Sequence, residues 1–141
     1  VWRELIKPHL QRIIDMVASY GVIYEHHCCG YFAPILGEIA DMGCAATNLV
    51  HKSNHPAELK KELGHKMCMI GAFDTQYLDA PSTAEEEMRA SVRKTLDEMA
   101  PGGSYITLCG LKTKGRNEIV TDEIRRYSGN FYACPRPDAG I

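Results

Sequence analysis

Between Val22 and Cys109 the chain repeats one unit four times: a short apolar segment ending in polar or glycine residues, then an amphipathic segment, then a glycine. Short apolar runs at such spacing read as strands, and the 3.6-residue periodicity between them reads as helices. The predicted strands are Val22–His27, Ala45–Val50, Lys66–Ala72 and Ser104–Cys109. The helices between them run from about Phe32 to Met42, Pro56 to Leu63 and Thr83 to Met99, and a last helix lies near Val120–Tyr127. Strands alternating with helices imply right-handed crossovers and a parallel sheet. The expected fold class is therefore α/β. Four units make about half of an eight-fold barrel of roughly 250 residues.

Such a half, alone, has two open parallel edges and an uncovered inner face, an arrangement soluble proteins seldom tolerate. The sequence thus predicts either a missing other half or the association of two copies. Trp2, Leu5, Ile6, Leu10, Ile13, Ile14 and Val17 already recur at helical spacing from Val1, without an initiator methionine. Residues 1–141 accordingly read as a single partial domain cut from something longer. Pro8 should end or kink a first short turn and Gly21 should stop the helix. Further ends are marked by Ser82 or Thr83 before Glu85, Glu86 and Glu87, and by Gly43 and Gly64 after the second and third helices. Cys134 to Ile141, with Pro135 and Pro137, reads as an irregular tail.

Charge narrows the function classes. Sixteen basic and 18 acidic residues give a net charge of -2, with no basic run interleaved with aromatics, which argues against nucleic acid as a partner. No apolar stretch approaches the roughly 18 residues that span a bilayer, and no signal peptide is evident, so the expected location is the cytoplasm. There, six cysteines are metal ligands, catalytic thiols or small core residues rather than disulfides, and adjacent Cys28 and Cys29 suit no simple disulfide framework.

The densest chemistry is Glu25-His26-His27-Cys28-Cys29-Gly30, at the end of the first predicted strand. Residues two apart in a strand face one side, so His27 and Cys29 can form a bidentate metal clip. His26 and Cys28 have the same spacing; Gly30 favours the first pair, because it lets the backbone turn closely around an ion. Catalytic zinc takes three protein ligands and keeps one position open. Cys109, followed by Gly110 at the end of the fourth predicted strand, shares the C-terminal rim where barrel active sites form and is the best-placed third ligand. Cys44 and Cys68 read as core thiols. Asp74 ends the third strand on the same rim, and Glu25 shares the parity of His27; each is a candidate for proton transfer or for supporting a ligand, with a turn or surface carboxylate as the alternative. Asn48, His51 and His55 could line the mouth or simply cap the helix that Pro56 opens. Lys112 to Arg116 reads as a basic loop.

His27-x-Cys29-Gly30, Met42-Gly43, Gly64, Gly71-Ala72-Phe73-Asp74 and Gly102-Gly103-Ser104-Tyr105 leading to Cys109 together resemble the C-terminal portion of the uroporphyrinogen decarboxylase superfamily, over roughly residues 3 to 130. The resemblance implies a (βα)8 barrel. Its decarboxylases, tetrapyrrole carboxy-lyases, use a His in a Gly-His-Gly turn after the last strand, where this chain has Cys109. Its methyltransferase branch carries His-x-Cys and a late Cys as zinc ligands. That branch moves a methyl group between a corrinoid, such as methylcobalamin on a carrier protein, and a thiol such as coenzyme M. The resemblance thus implies zinc on His27, Cys29 and Cys109. It also departs from the family, since Ala72 replaces the Asn of the usual Gly-Asn-x-Asp.

Overall fold

The computed structural model describes residues 1–49, 51–63 and 66–131. Val50, Gly64 and Cys134, which figure in the sequence reading, lie outside them. A single π-turn at Trp2–Ile6 leads into α1 (Lys7–Ser19), and Pro8 sits in the first turn of that helix, where its missing N–H forfeits no bond. Gly21, at φ +69, ends it. The later helices are α2 (Ala33–Asp41), α3 (Pro56–Leu63), α4 (Thr75–Asp79), α5 (Glu85–Met99) and α6 (Lys114–Ser128).

The strands β1 (Glu25–His27), β2 (Ala46–Leu49), β3 (Cys68–Gly71) and β4 (Tyr105–Ile106) form one sheet in the order β1-β2-β3-β4, each pair parallel. This is the α/β architecture of a partial barrel. Glu25 pairs with Ala46 and Ala46 with Cys68; His26, Thr47, Met69 and Tyr105 form the next row; His27, Asn48, Ile70 and Ile106 form the one after. The middle row faces the helices, where Thr47, Met69 and Tyr105 are buried. The row above it opens away from the helices, and there Ile106 is 53% exposed.

All the helices pack on one side. Leu36 and Ile39 of α2, Leu59 and Leu63 of α3, Leu78 of α4, Met88, Val92, Leu96 and Met99 of α5 and Val120 of α6 join Met69 and Phe73 in one buried cluster. Burial of each such side chain contributes about 1.5–3 kcal/mol. α5 and α6 are further joined through Glu123, which is buried and accepts from Arg89 at 2.8 Å and Arg93 at 2.9 Å.

Several sequence expectations are corrected. β1 and β4 are shorter than predicted: residues 22–24 stay outside the strand, and the chain leaves the sheet after Ile106, so Cys109 lies beyond it. α4 was not anticipated. The helix after the third strand starts at Glu85, with Ala84 rather than Ser82 or Thr83 as N-cap; the Glu87 carboxylate accepts from the Ala84 amide at 2.8 Å, and the Thr83 hydroxyl donates to the Tyr77 carbonyl. α6 begins at Lys114 rather than near Val120, so most of the expected basic loop is helical. Arg116 turns inward there, donating to the carbonyls of Leu78 at 2.9 Å and Thr83 at 2.8 Å. Cys44 is a buried core thiol, but Cys68 is only half-buried and shares the open row of Glu25. Among the described residues no helix is long and apolar enough to cross a membrane.

Candidate functional site

Strand parity decides between the two histidine–cysteine pairs. Glu25, His27 and Cys29 are exposed, whereas Tyr24, His26 and Cys28 are half-buried, as alternation along a strand requires. Tyr24 and Cys28 pack against the core, and the His26 ring lies 6.0 Å from that of Phe32. Burial, and secondarily the neighbouring His27, holds the His26 pKa below its ordinary value. His27 and Cys29 are left together on the open face, with the imidazole Nε2 2.9 Å from the Cys29 Sγ.

Nitrogen and sulfur donors on one strand end suit zinc. At tetrahedral zinc, bond lengths of 2.0–2.1 and 2.3 Å put such a pair roughly 3.5 Å apart. The observed contact is a hydrogen bond, so the pair must open by about half an ångström to admit an ion. Cys109 is placed differently. It follows the end of β4, half-buried against the core, and its thiol pKa is pushed up to about 11 by burial and then by the charge of Asp79. Among the described residues no three of His, Cys, Asp and Glu lie close enough to hold a metal. The structure thus brings His27 and Cys29 together and leaves Cys109 apart from them.

Asp74 caps α4, accepting from the Tyr77 amide at 3.1 Å, and pairs with Lys52 at 2.9 Å. Burial works to raise its pKa, but the Lys52 hydrogen bond, the Tyr77 amide and the charges of Lys52 and His51 outweigh that and hold it below the ordinary value. It is therefore a carboxylate at neutral pH. It lines a groove of about 360 Å³ with Lys52, His55, Ala72 and residues of α5. Two of the lining residues, His55 (φ 48) and Ala72 (φ 67), hold left-handed backbone without being glycine. Asn tolerates that conformation better than Ala, which gives a backbone reason for the Asn of the family pattern at position 72. His51 accepts from the Ser53 amide and caps a short 3-10 turn at Lys52–Asn54. The His55 carbonyl accepts from Glu58 and Leu59 at the start of α3.

One residue that holds the site was missed from sequence. Asn54 is fully buried; its Oδ1 accepts from the amides of Phe32 at 2.8 Å and Ala33 at 3.1 Å, and its Nδ2 donates to the Gly30 carbonyl at 2.9 Å. It thereby ties the Cys29-Gly30 loop to the start of α2. An Asn between a Ser and a His before a proline looks like an ordinary turn residue, so the only local signal was its place before Pro56. A second addition is Asn48, paired with His27 in register, whose Oδ1 is buried without a hydrogen-bond partner among the described residues.

A sequence profile of the family described as Uroporphyrinogen decarboxylase (URO-D) matches residues 1–115. The chain belongs to this family. It is also similar to the methylcobamide:CoM methyltransferase MtaA of Methanosarcina barkeri, at 26% identity over 104 residues, 72% of this chain and 30% of that protein. The MtaA of Methanosarcina barkeri strain Fusaro (DSM 804) matches at 25% identity over the same shares. The chain spans about a third of the length of these curated relatives.

Proposed function

We propose that the chain contributes the zinc-binding rim of a corrinoid-linked methyltransferase, with His27, Cys29 and Cys109 as the metal ligands. The observation that carries this reading is the His27–Cys29 pair at 2.9 Å on the open face of the sheet, at the C-terminal end of β1, where barrel enzymes place their chemistry. Similarity to a methylcobamide:CoM methyltransferase supplies the reaction class. Bound there, zinc would lower the pKa of a substrate thiol so that it reacts as thiolate. The thiolate sulfur forms the new bond to the methyl carbon, and the cobalt–carbon electron pair stays with the corrinoid. Glu25, exposed on the same face, accepts the thiol proton. Asp74, held as a carboxylate against Lys52, anchors a polar group of the substrate.

The partners of this reading are a corrinoid carrier protein, presenting methylcobalamin over the rim, and a small thiol. Ile13, Met16, Tyr20, Val22 and Ile23 at the β1 edge, and Ile106 and Leu108 at the β4 end, are exposed. In this reading they are covered by further βα units, supplied by a longer chain or by a second copy.

Metal analysis of the purified chain tests the proposal. About one zinc per chain is expected, lost in Cys29→Ser. A chain that holds no zinc, or one whose zinc survives Cys29→Ser combined with Cys109→Ser, ends the reading. With zinc loaded, methylcobalamin and coenzyme M should give methyl transfer that follows zinc content.

A further inference from the structure

We propose that Asn48 is the positioning residue for His27: its Oδ1 accepts the Nδ1–H of that imidazole and so fixes the tautomer in which Nε2 carries the free lone pair. For the metal this rests on the zinc reading above; for the tautomer it stands on the protein alone.

Three observations converge. His27 and Asn48 are register partners in the parallel pair of β1 and β2. Their side chains therefore stand on one face, a strand spacing of roughly 4.8 Å apart. Nδ1 of an imidazole and Oδ1 of an asparagine each lie two bonds beyond Cβ, so the two polar atoms are within reach of each other. Second, Oδ1 of Asn48 is buried and has no hydrogen-bond partner among the described residues, a condition native interiors rarely tolerate. Third, the Nε2 of His27 already faces the Cys29 Sγ at 2.9 Å. A neutral imidazole has one N–H. If Nε2 accepts from the thiol, the proton is on Nδ1 and needs an acceptor of its own.

The surroundings leave Asn48 as that acceptor. The other members of its row are Ile70 and Ile106, which have no polar side-chain atoms. One position earlier the buried Thr47 hydroxyl donates to the His26 carbonyl at 3.1 Å, pinning β1 to β2 beside the pair. Three positions beyond His27, the Gly30 carbonyl is held by Asn54. With the backbone fixed on both sides of His27, the ring orientation is the freedom left to set, and an amide acceptor sets it without adding charge. Metal-bound histidines are ordinarily held in this way through their second nitrogen.

Long-range 1H–15N spectra of the metal-free, 15N-histidine-labelled chain read the tautomer directly. His27 is expected with its proton on Nδ1. Asn48→Leu should move the proton toward Nε2, and Asn48→Asp, which keeps the acceptor, should restore it. Zinc affinity, measured by chelator competition, should fall about 10- to 100-fold in Asn48→Leu and recover in Asn48→Asp. An Nε2–H tautomer in the unmodified chain overturns the inference without any variant, and so does a tautomer indifferent to Asn48→Leu. Should Asn48→Leu fail to fold, Asn48→Ser takes its place, since it also withdraws the acceptor from Nδ1. A tautomer that responds to Asn48 in a chain that takes up no zinc supports the positioning role and sinks the methyltransferase reading. Zinc uptake with an unresponsive tautomer does the reverse.

Discussion

Replacing Asn54 with alanine removes one side chain and strands three backbone groups. The amides of Phe32 and Ala33 lose Oδ1, and the Gly30 carbonyl loses Nδ2. Phe32, the N-cap of α2, makes no side-chain cap of its own, so Asn54 acts as that cap from 22 residues downstream. A net value of about 1 kcal/mol per intramolecular hydrogen bond gives roughly 3 kcal/mol for the three. Asn54 is fully buried, so water cannot readily replace what is lost, which keeps the figure from shrinking. Against a typical domain stability of about 5–15 kcal/mol this is a large fraction. Asn54→Asp separates the parts. It keeps both accepted bonds and places a charge at a helix N-terminus, where anions are favoured, but sets a carboxylate against the Gly30 carbonyl; it should fall between wild type and alanine, at about 1–2 kcal/mol. Urea unfolding followed by circular dichroism, with m unchanged, measures both. Amide exchange at Phe32 and Ala33 should rise in Asn54→Ala before global exchange does. An alanine variant within about 1 kcal/mol of wild type, or an aspartate variant less stable than alanine, refutes the reasoning.

Other outcomes follow from the ion pairs and the edges. Hydrogen bonds from Lys7 and Arg3 hold the Glu38 carboxyl at about 2, against an ordinary value of 4.5. A depressed folded pKa means that this clamp between α1 and α2 contributes above 4.5 and fades as the pH falls toward 2. The melting temperature of Glu38→Gln should therefore lie below wild type at pH 7 and converge with it near pH 2; a gap that is constant with pH contradicts the assignment. Arg116→Met leaves the carbonyls of Leu78 and Thr83 without their charged donor and should destabilise by about 1–3 kcal/mol in urea melts, whereas a solvated loop residue would change nothing. The exposed Ile13, Met16 and Tyr20 of α1 should make the isolated chain self-associate in sedimentation at micromolar concentration, and Ile13→Glu with Met16→Glu should reverse it; a monomeric parent chain contradicts this.

The four-unit rhythm was legible because each strand and its helix carry their own apolar pattern, and that pattern survives whatever the strands pair with. Strand ends were not legible. Val22 and Ile23 are apolar enough to read as strand, yet in the structure they are exposed and stay outside β1. α4 escaped because five residues with one buried side chain, Leu78, show no period. The start of α6 escaped because Lys114-Gly115-Arg116-Asn117-Glu118 has no apolar residue, and its stability comes instead from Asn117 and Arg116 reaching neighbouring backbone.

Parity explains both the success and the gap at the site. Alternation along β1 fixed which of the paired histidines and cysteines share a face, and the exposure of His27 and Cys29 against the burial of His26 and Cys28 follows that rule. Parity acts along a strand and carries no information across a sheet. From β1 to β4 there are three strand spacings, roughly 14 Å, whereas two thiolates on one zinc sit about 3.8 Å apart. A third ligand from the segment after β4 therefore depends on how far the chain beyond Ile106 leans over the open face, which curvature and neighbouring strands set. In this structure that segment carries Cys109 down against the helices. A zinc-loaded chain must turn it the other way, so zinc should raise the protection of the amides around Cys109. Unchanged amide exchange there on zinc binding would remove Cys109 from the ligand set while leaving His27 and Cys29 in it.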